Sequence, residues 1–265
     1  MTETMFNAAE AYDRFVGRYS GQLARALIKT AGIRPGQRAL DVGCGPGALT
    51  AELAAVIGPD HVTSIDPSEP FATACRRRVP GARVEVGAAE DMSFGDEAFD
   101  HALAQLVVNF MADAPAGVRE MRRVTRRGGH VSAAVWDYVG EMTLLRTFWD
   151  AATALDPAAA DRDEGSQRYC TPDELTALWS EAGLEEVAVR PTVARAAYDG
   201  FEDLWAPLDR GVGPSGAYAL TLAPDRREAL HDELRRRLGV DARPFELTAR
   251  AWLVTGRRLA SGDRV

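Results

Sequence analysis

Residues 38–50, RALDVGCGPGALT, set an apolar strand directly before three closely spaced glycines and a run of helix formers. Glycine has no Cβ, so Gly43, Gly45 and Gly47 let the chain turn sharply from strand to helix and let a ligand approach backbone N–H groups at the helix N-terminus. The pattern then repeats. Short apolar stretches at 38–42, 61–65, 83–86, 101–105 and 130–136 alternate with helical ones at 47–57, 69–79 and 113–125. That alternation predicts a doubly wound parallel sheet covered on both faces.

The flanks add helices and two further strands. Residues 5–30 predict one or two amphipathic helices, with Tyr12, Phe15, Val16 and Tyr19 on one face. After the fifth strand a helix is expected at 142–155, a polar loop at 156–167, and a helix from Thr171-Pro172-Asp173-Glu174 that Gly183 ends. Residues 186–193 and 246–254 are expected as a sixth and a seventh strand, and the helical segment between them as a cap. One domain over 1–265 is expected, with N-terminal helices at 1–35, a core at 36–137 and insertions at 138–169 and 196–245.

Composition narrows the function. A net charge of −8 gives no basic field for a phosphate backbone, which argues against a nucleic-acid substrate. No apolar run approaches the roughly 18 residues of a membrane span. The first twenty residues carry no apolar core of a signal peptide, so a cytoplasmic protein is expected. Cys44, Cys75 and Cys170 show no metal-ligand spacing, and no metal is expected.

Two cofactor classes compete for the glycine turn. Gly43, Gly45 and Ala48 also satisfy a degenerate dinucleotide fingerprint, which keeps an NAD(P)-dependent oxidoreductase open. Asp41, at the end of the strand, would attract a cationic ligand and repel a pyrophosphate. Asp66 ends the next strand, where a carboxylate can accept both ribose hydroxyls under either reading.

The segments GAAEDMSFGDEAFDHALAQ (87–105) and EMRRVTRRGGHVSAAVWD (120–137) separate the two. With LDVGCGPG and SIDPS before them, the chain resembles the class I S-adenosylmethionine-dependent methyltransferases, in their small-molecule branch. The resemblance implies a Rossmann-like seven-stranded sheet with the last strand antiparallel and helical lid insertions. It implies S-adenosylmethionine held by Asp41, Gly43, Gly45, Gly47, Asp66, Pro67, Ala88, Ala89, Glu90 and Gln105, with Tyr12 closing over it. Three positions depart from the family pattern. Ala88 stands where Asp or Asn is usual, Ser93 where proline is usual, and Arg127 replaces the proline of a P-G-G turn whose reversal Gly128 and Gly129 are expected to supply.

Methyl transfer needs an in-line nucleophile, and positioning alone can supply ~7 to 11 kcal/mol of the barrier, so a base is optional. Ligands in such sheets bind beyond the carboxyl ends of the strands. His61, His101 and His130 open strands and are set aside. Asp137 after the fifth strand and His231 in the insertion are the catalytic candidates. Tyr19, Asn109, Trp136 and Tyr138 are the candidates for contact with a small organic acceptor. A homodimer is compatible with the sequence. A non-methylating S-adenosylmethionine-binding protein stays open, because no histidine outside the insertion falls at the expected site.

Overall fold

The alternating pattern of 36–136 is realised in the structure, a computed structural model that describes residues 15–259. Helix α1 (Gly17–Ala31) buries Tyr19, Leu23, Leu27 and Ile28 along one stripe. Tyr12 lies outside the described residues. There follow β1 (Ala39–Val42), α2 (Ala48–Ile57), β2 (Val62–Asp66), α3 (Glu69–Arg78), β3 (Arg83–Val86), β4 (Phe99–Gln105), α4 (Ala114–Val124) and β5 (Thr125–Trp136). The chain continues through α5 (Thr143–Leu155), α6 (Pro172–Glu181), β6 (Glu185–Tyr198), α7 (Phe201–Asp209), α8 (Gly213–Thr221), α9 (Pro224–Leu238) and β7 (Phe245–Arg257).

The seven strands form one sheet in the order β3-β2-β1-β4-β5-β7-β6. β1 pairs in parallel with β2 and β4, and the parallel register continues outward to β3 and β5. β1 is central and buried along its whole length, which is why it reads Ala-Leu-Asp-Val rather than alternating. Between β5 and β7 the direction reverses: Arg258 N donates to Gly129 O, while Asp137 N donates to Arg250 O. One residue number rises as the other falls, so β7 is antiparallel.

Three local expectations are corrected. Gly128 and Gly129 do not close a turn before β5, because the strand already begins at Thr125. The ladder jumps from Phe99 opposite Thr125 to His101 opposite His130, so residues 126–129 form a bulge with Gly128 at φ 77°. The polar stretch 156–167 is two 3-10 turns, Pro157–Arg162 and Glu164–Ser166, capped by Asp156 and Asp163. β6 also runs further than expected, because Ala194, Ala196 and Tyr198 keep pointing inward with exposed residues between them.

Among the described residues the chain divides into two compact units. The larger comprises Ser20–Val135, Arg168–Thr192 and the stretch from Trp252; the smaller comprises Trp136–Gln167, Val193–Ala251 and the residues up to Tyr19. In the larger unit α4 buries Ala114, Gly117, Val118, Met121 and Val124 on one face. The Arg258 guanidinium caps that helix by donating to Arg122 O, Arg123 O and Thr125 O, a cation on the negative end of the dipole. α6 is fixed to the sheet by Trp179 Nε1, which donates to Val131 O at 3.0 Å.

Candidate cofactor site

The larger unit builds a site at the carboxyl end of β1. Gly43 takes φ 70°, and a Cβ on it would lie 2.5 Å from Val107 Cγ2, so neither its conformation nor its space admits a side chain. Gly47 takes φ 88° as the N-cap of α2, and its Cβ position is 2.9 Å from Cys75 Sγ. Gly45 differs: at φ 52° it faces open space, with nothing within 4 Å of a Cβ.

The loop's donors are already engaged. Gly43 N and Cys44 N donate to Ile65 O, Gly45 N donates to Asp66 Oδ2 at 2.8 Å, and Gly47 N donates to Cys44 O. This corrects the expectation of backbone N–H groups turned toward a ligand: the glycines provide room, and these four amides do not make an anion nest. A pyrophosphate needs such a nest. The dinucleotide reading therefore loses its structural support at this turn.

Asp66, at the end of β2, is the acceptor beside that room. Its Oδ1 accepts from Ser68 N and its Oδ2 from Gly45 N, both at 2.8 Å. Burial pushes its carboxyl above the ordinary range, and these two amide donors pull it back. Each oxygen keeps a lone pair for a hydroxyl donor. Gly87 N donates to Asp66 O, which ties the 88–91 segment to the same strand end. Pro67 follows Asp66 in the same turn.

In that segment Ala88 is exposed and Ala89 is buried against α4, where a Cβ on Gly117 would lie 3.4 Å from Ala89 Cβ. Glu90 uses Oε1 to accept from Asp113 N at the start of α4. Its carboxylate thus positions the helix as well as bordering the segment.

Two buried acceptors behind the loop lack donors. Asp41 is wholly buried; Oδ2 accepts from Thr50 Oγ1 at 2.6 Å, and Oδ1 has no partner. Burial drives its carboxyl up to about 8. Asp41 therefore sits behind the loop, between α2 and β2, rather than open at its surface. Gln105 closes β4, one step beyond the Val42–Ala104 pair; its Nε2 donates to Ser20 O and its buried Oε1 accepts from nothing. The orphaned Gln105 oxygen suits an N–H donor, such as an ammonium. Beyond Gln105, Leu106 is held at φ 61°, and Asn109 sits half-buried in the following 3-10 turn.

A methyltransferase-domain family model matches residues 40–133. The demethylmenaquinone methyltransferase of Beutenbergia cavernae is 34% identical over 178 residues, spanning 63% of this chain and 73% of that one. The chain belongs to the class I S-adenosylmethionine-dependent methyltransferases. The malonyl-[acyl-carrier protein] O-methyltransferase of Erwinia pyrifoliae is 28% identical, over 77% of this chain and 84% of its own. A crystal structure from Bacillus halodurans, provisionally named a methyltransferase, shares the fold at TM-score 0.59 and 18% identity, covering 89% of this chain and 99% of that one. The cofactor of this methyltransferase is S-adenosylmethionine, and the residues present fit it: room at Gly45, a carboxylate at Asp66 with acceptor capacity to spare, and an unpaired acceptor at Gln105.

The remaining candidates of the methyltransferase lie in the smaller unit. Asp137 is buried and fully engaged: Oδ2 accepts from Glu141 N and from Arg250 Nε and Nη2, the last at 2.6 Å, and Oδ1 accepts from Gly140 N. His231 has both ring nitrogens on carboxylates, Nδ1 with Asp232 and Nε2 with Glu202, and is packed by Phe201 and Trp205. Both side chains thus bond to partners inside the smaller unit, Asp137 to Arg250 and His231 to Glu202 and Asp232. Tyr19 OH meets Tyr198 OH at 3.1 Å, and its ring stands edge-on to Trp136 at 5.7 Å. Burial pushes the Tyr19 phenol up, so it stays neutral. Tyr138 is buried nearby in sequence. Glu164, buried in what the sequence presents as a polar loop, was not among the expected site residues. No cluster of three or more metal-ligating side chains occurs among the described residues.

Proposed function

We propose that the protein transfers the methyl group of S-adenosylmethionine to an O, N or C nucleophile of a small organic acceptor. The observation that carries the reading is the conjunction at Gly43–Asp66. Open space at Gly45 adjoins a two-amide-held carboxylate, and two donorless acceptors stand behind it. S-adenosylmethionine, when bound, supplies an electrophilic methyl carbon on a sulfonium. The chain's own part is to bind and orient: Asp66 accepts the ribose hydroxyls, Ala88, Ala89 and Glu90 border the base, Gln105 receives the ammonium, and Asp41 supports the loop from behind. With Asp137 and His231 engaged elsewhere, catalysis rests on positioning.

On this reading residues 1–265 act as one methyltransferase domain, in which Tyr12, Tyr19, Asn109, Trp136 and Tyr138 serve cofactor closure or the acceptor. The two named relatives differ in acceptor, a demethylmenaquinone and a malonyl-acyl carrier protein, so likeness to them does not select one. No helix among the described residues is long and apolar enough to cross a membrane. The proposed reaction takes place in the cytoplasm. The test is transfer of isotopically labelled methyl from S-adenosylmethionine across a panel of phenols, carboxylic acids, amines and activated carbon acids. Transfer to at least one class is expected. Tight S-adenosylhomocysteine binding with no transfer to any class would favour a non-methylating S-adenosylmethionine-binding protein instead.

A further inference from the structure

Two of the chain's three cysteines meet beneath the cofactor loop. Cys44 sits between Gly43 and Gly45 in the turn after β1, and Cys75 is on α3. Both are free, and their thiols hydrogen-bond to each other. The helix is pressed close to the loop here. A Cβ on Gly47 would lie 2.9 Å from Cys75 Sγ and 3.2 Å from Cys75 Cα, and Gly47 N donates to Cys44 O at 2.9 Å.

Polar groups surround the pair. Cys75 Sγ donates to Thr50 Oγ1 at 3.4 Å, and Thr50 in turn bonds to Asp41 Oδ2 and to Ser64 Oγ. A thiol that only fills core space needs no such chain of hydroxyls, whereas a thiolate is stabilised by one. The hydrogen bond with Cys44 holds the Cys75 thiol below its ordinary range, against the effect of burial. Loss of one proton leaves a thiolate and a thiol sharing the other, so the negative charge belongs to the pair. Access is one-sided: Cys75 is wholly buried, and Cys44 is 6% exposed beside Gly45, which faces open space.

We propose that Cys44 and Cys75 form a dithiol site that a hydroperoxide oxidises to an intramolecular disulfide, and that this disulfide weakens cofactor binding. The Cys44 thiolate attacks one peroxide oxygen; the O–O bond breaks, Cys44 becomes a sulfenic acid, and the leaving alkoxide or hydroxide takes a proton. Cys75 then attacks the Cys44 sulfur; the S–S bond forms, the S–O bond breaks, and water leaves with the Cys75 proton. Two thiols lose two electrons, and the peroxide is reduced to water and an alcohol, or to two waters. The new bond draws Cys44 toward α3 and carries Gly43 and Gly45 with it, which changes the room at Gly45 and the Gly45 N–Asp66 Oδ2 contact. In a reducing compartment such a bond is transient. The effect on the cofactor rests on the S-adenosylmethionine reading of the site, and the cross-link does not.

The test treats the reduced full-length protein with stoichiometric hydrogen peroxide and maps its disulfides by peptide mass spectrometry. S-adenosylhomocysteine is titrated calorimetrically before oxidation, after it, and after dithiothreitol. A Cys44–Cys75 linkage is expected in wild type and in Cys170→Ser, and none in Cys44→Ser. Affinity is expected to fall at least about tenfold in oxidised wild type and to return with dithiothreitol. Should Cys44→Ser fail to fold, the wild-type map alone decides. Thiols that stay free, or oxidation without a Cys44–Cys75 linkage, would overturn the site, and unchanged affinity in the linked protein would overturn its effect on the cofactor. Failure of the cofactor reading would look different: the linkage forms, but the reduced protein binds no S-adenosylhomocysteine.

Discussion

A Cβ on Gly43 would stand 2.5 Å from Val107 Cγ2, so the second residue after β4 sets the shape of the turn after β1. Two strand ends that are neighbours in the sheet thus share one small volume. Gly43→Ala adds both that clash and a side chain at φ 70°. It is expected to cost about 1–3 kcal/mol of stability. It should also weaken S-adenosylhomocysteine binding by at least about tenfold, because the loop must shift to relieve the overlap. Adding Val107→Ala removes the two Cγ contacts but keeps the Cβ contact at 2.9 Å and the φ penalty, so only partial recovery in the melting temperature and the titration is expected.

Asp66→Asn tests the ribose acceptor. An amide has one acceptor oxygen where the carboxylate serves both Gly45 N and Ser68 N, so one amide loses its partner as the ligand loses an acceptor. S-adenosylhomocysteine affinity is expected to fall about tenfold to a hundredfold. Calorimetry on the folded variant reads this directly.

Asp137→Asn separates a structural carboxylate from a catalytic one. If its partners Arg250, Gly140 N and Glu141 N define its role, the variant loses stability, by about 2–3 kcal/mol after discounting for the partly exposed guanidinium, and keeps kcat within a few-fold. A large loss of kcat with an unchanged melting temperature would show instead that Asp137 handles a proton.

Two buried groups give opposed pH dependences. Asp41 has its folded value raised to about 8 from 3.8, so its contribution is full below about 4 and is lost as pH rises through about 8. His101 has its folded value lowered to about 4 from 6.5 by burial and then by His130, so its contribution is full above about 6.5 and is lost as pH falls toward 4. Stability relative to wild type is therefore expected to improve with rising pH in Asp41→Asn between about pH 4 and 8. In a His101→Asn chain it should improve with falling pH between about 6.5 and 4. Thermal melts across pH, compared as differences from wild type, check both signs.

The central strands, the glycine turn and Asp66 were legible in the sequence because each rests on local signals: an apolar run, a lost Cβ, a carboxylate at a strand end. Bonds between distant residues left no such trace. Asp137 looks free in the sequence, and its partner Arg250 is 113 residues away. His231 stands alone in the sequence, and its partner Glu202 lies 29 residues upstream. The donors of the glycine loop could be assigned only once β2 supplied Ile65 O. Glu164 was hidden by composition, since a stretch rich in Asp, Glu, Arg and Ser predicts a solvated loop, and only Trp149 reveals its burial.

The most direct test of the account is calorimetric titration of S-adenosylhomocysteine into wild type and into Asp66→Ala, with NAD⁺ and NADP⁺ as controls. The account predicts saturable binding of S-adenosylhomocysteine to wild type, its loss by about a hundredfold or more in a folded Asp66→Ala, and no heat from either dinucleotide. Affinity unchanged by Asp66→Ala, or binding of a nicotinamide dinucleotide in place of S-adenosylhomocysteine, would contradict it.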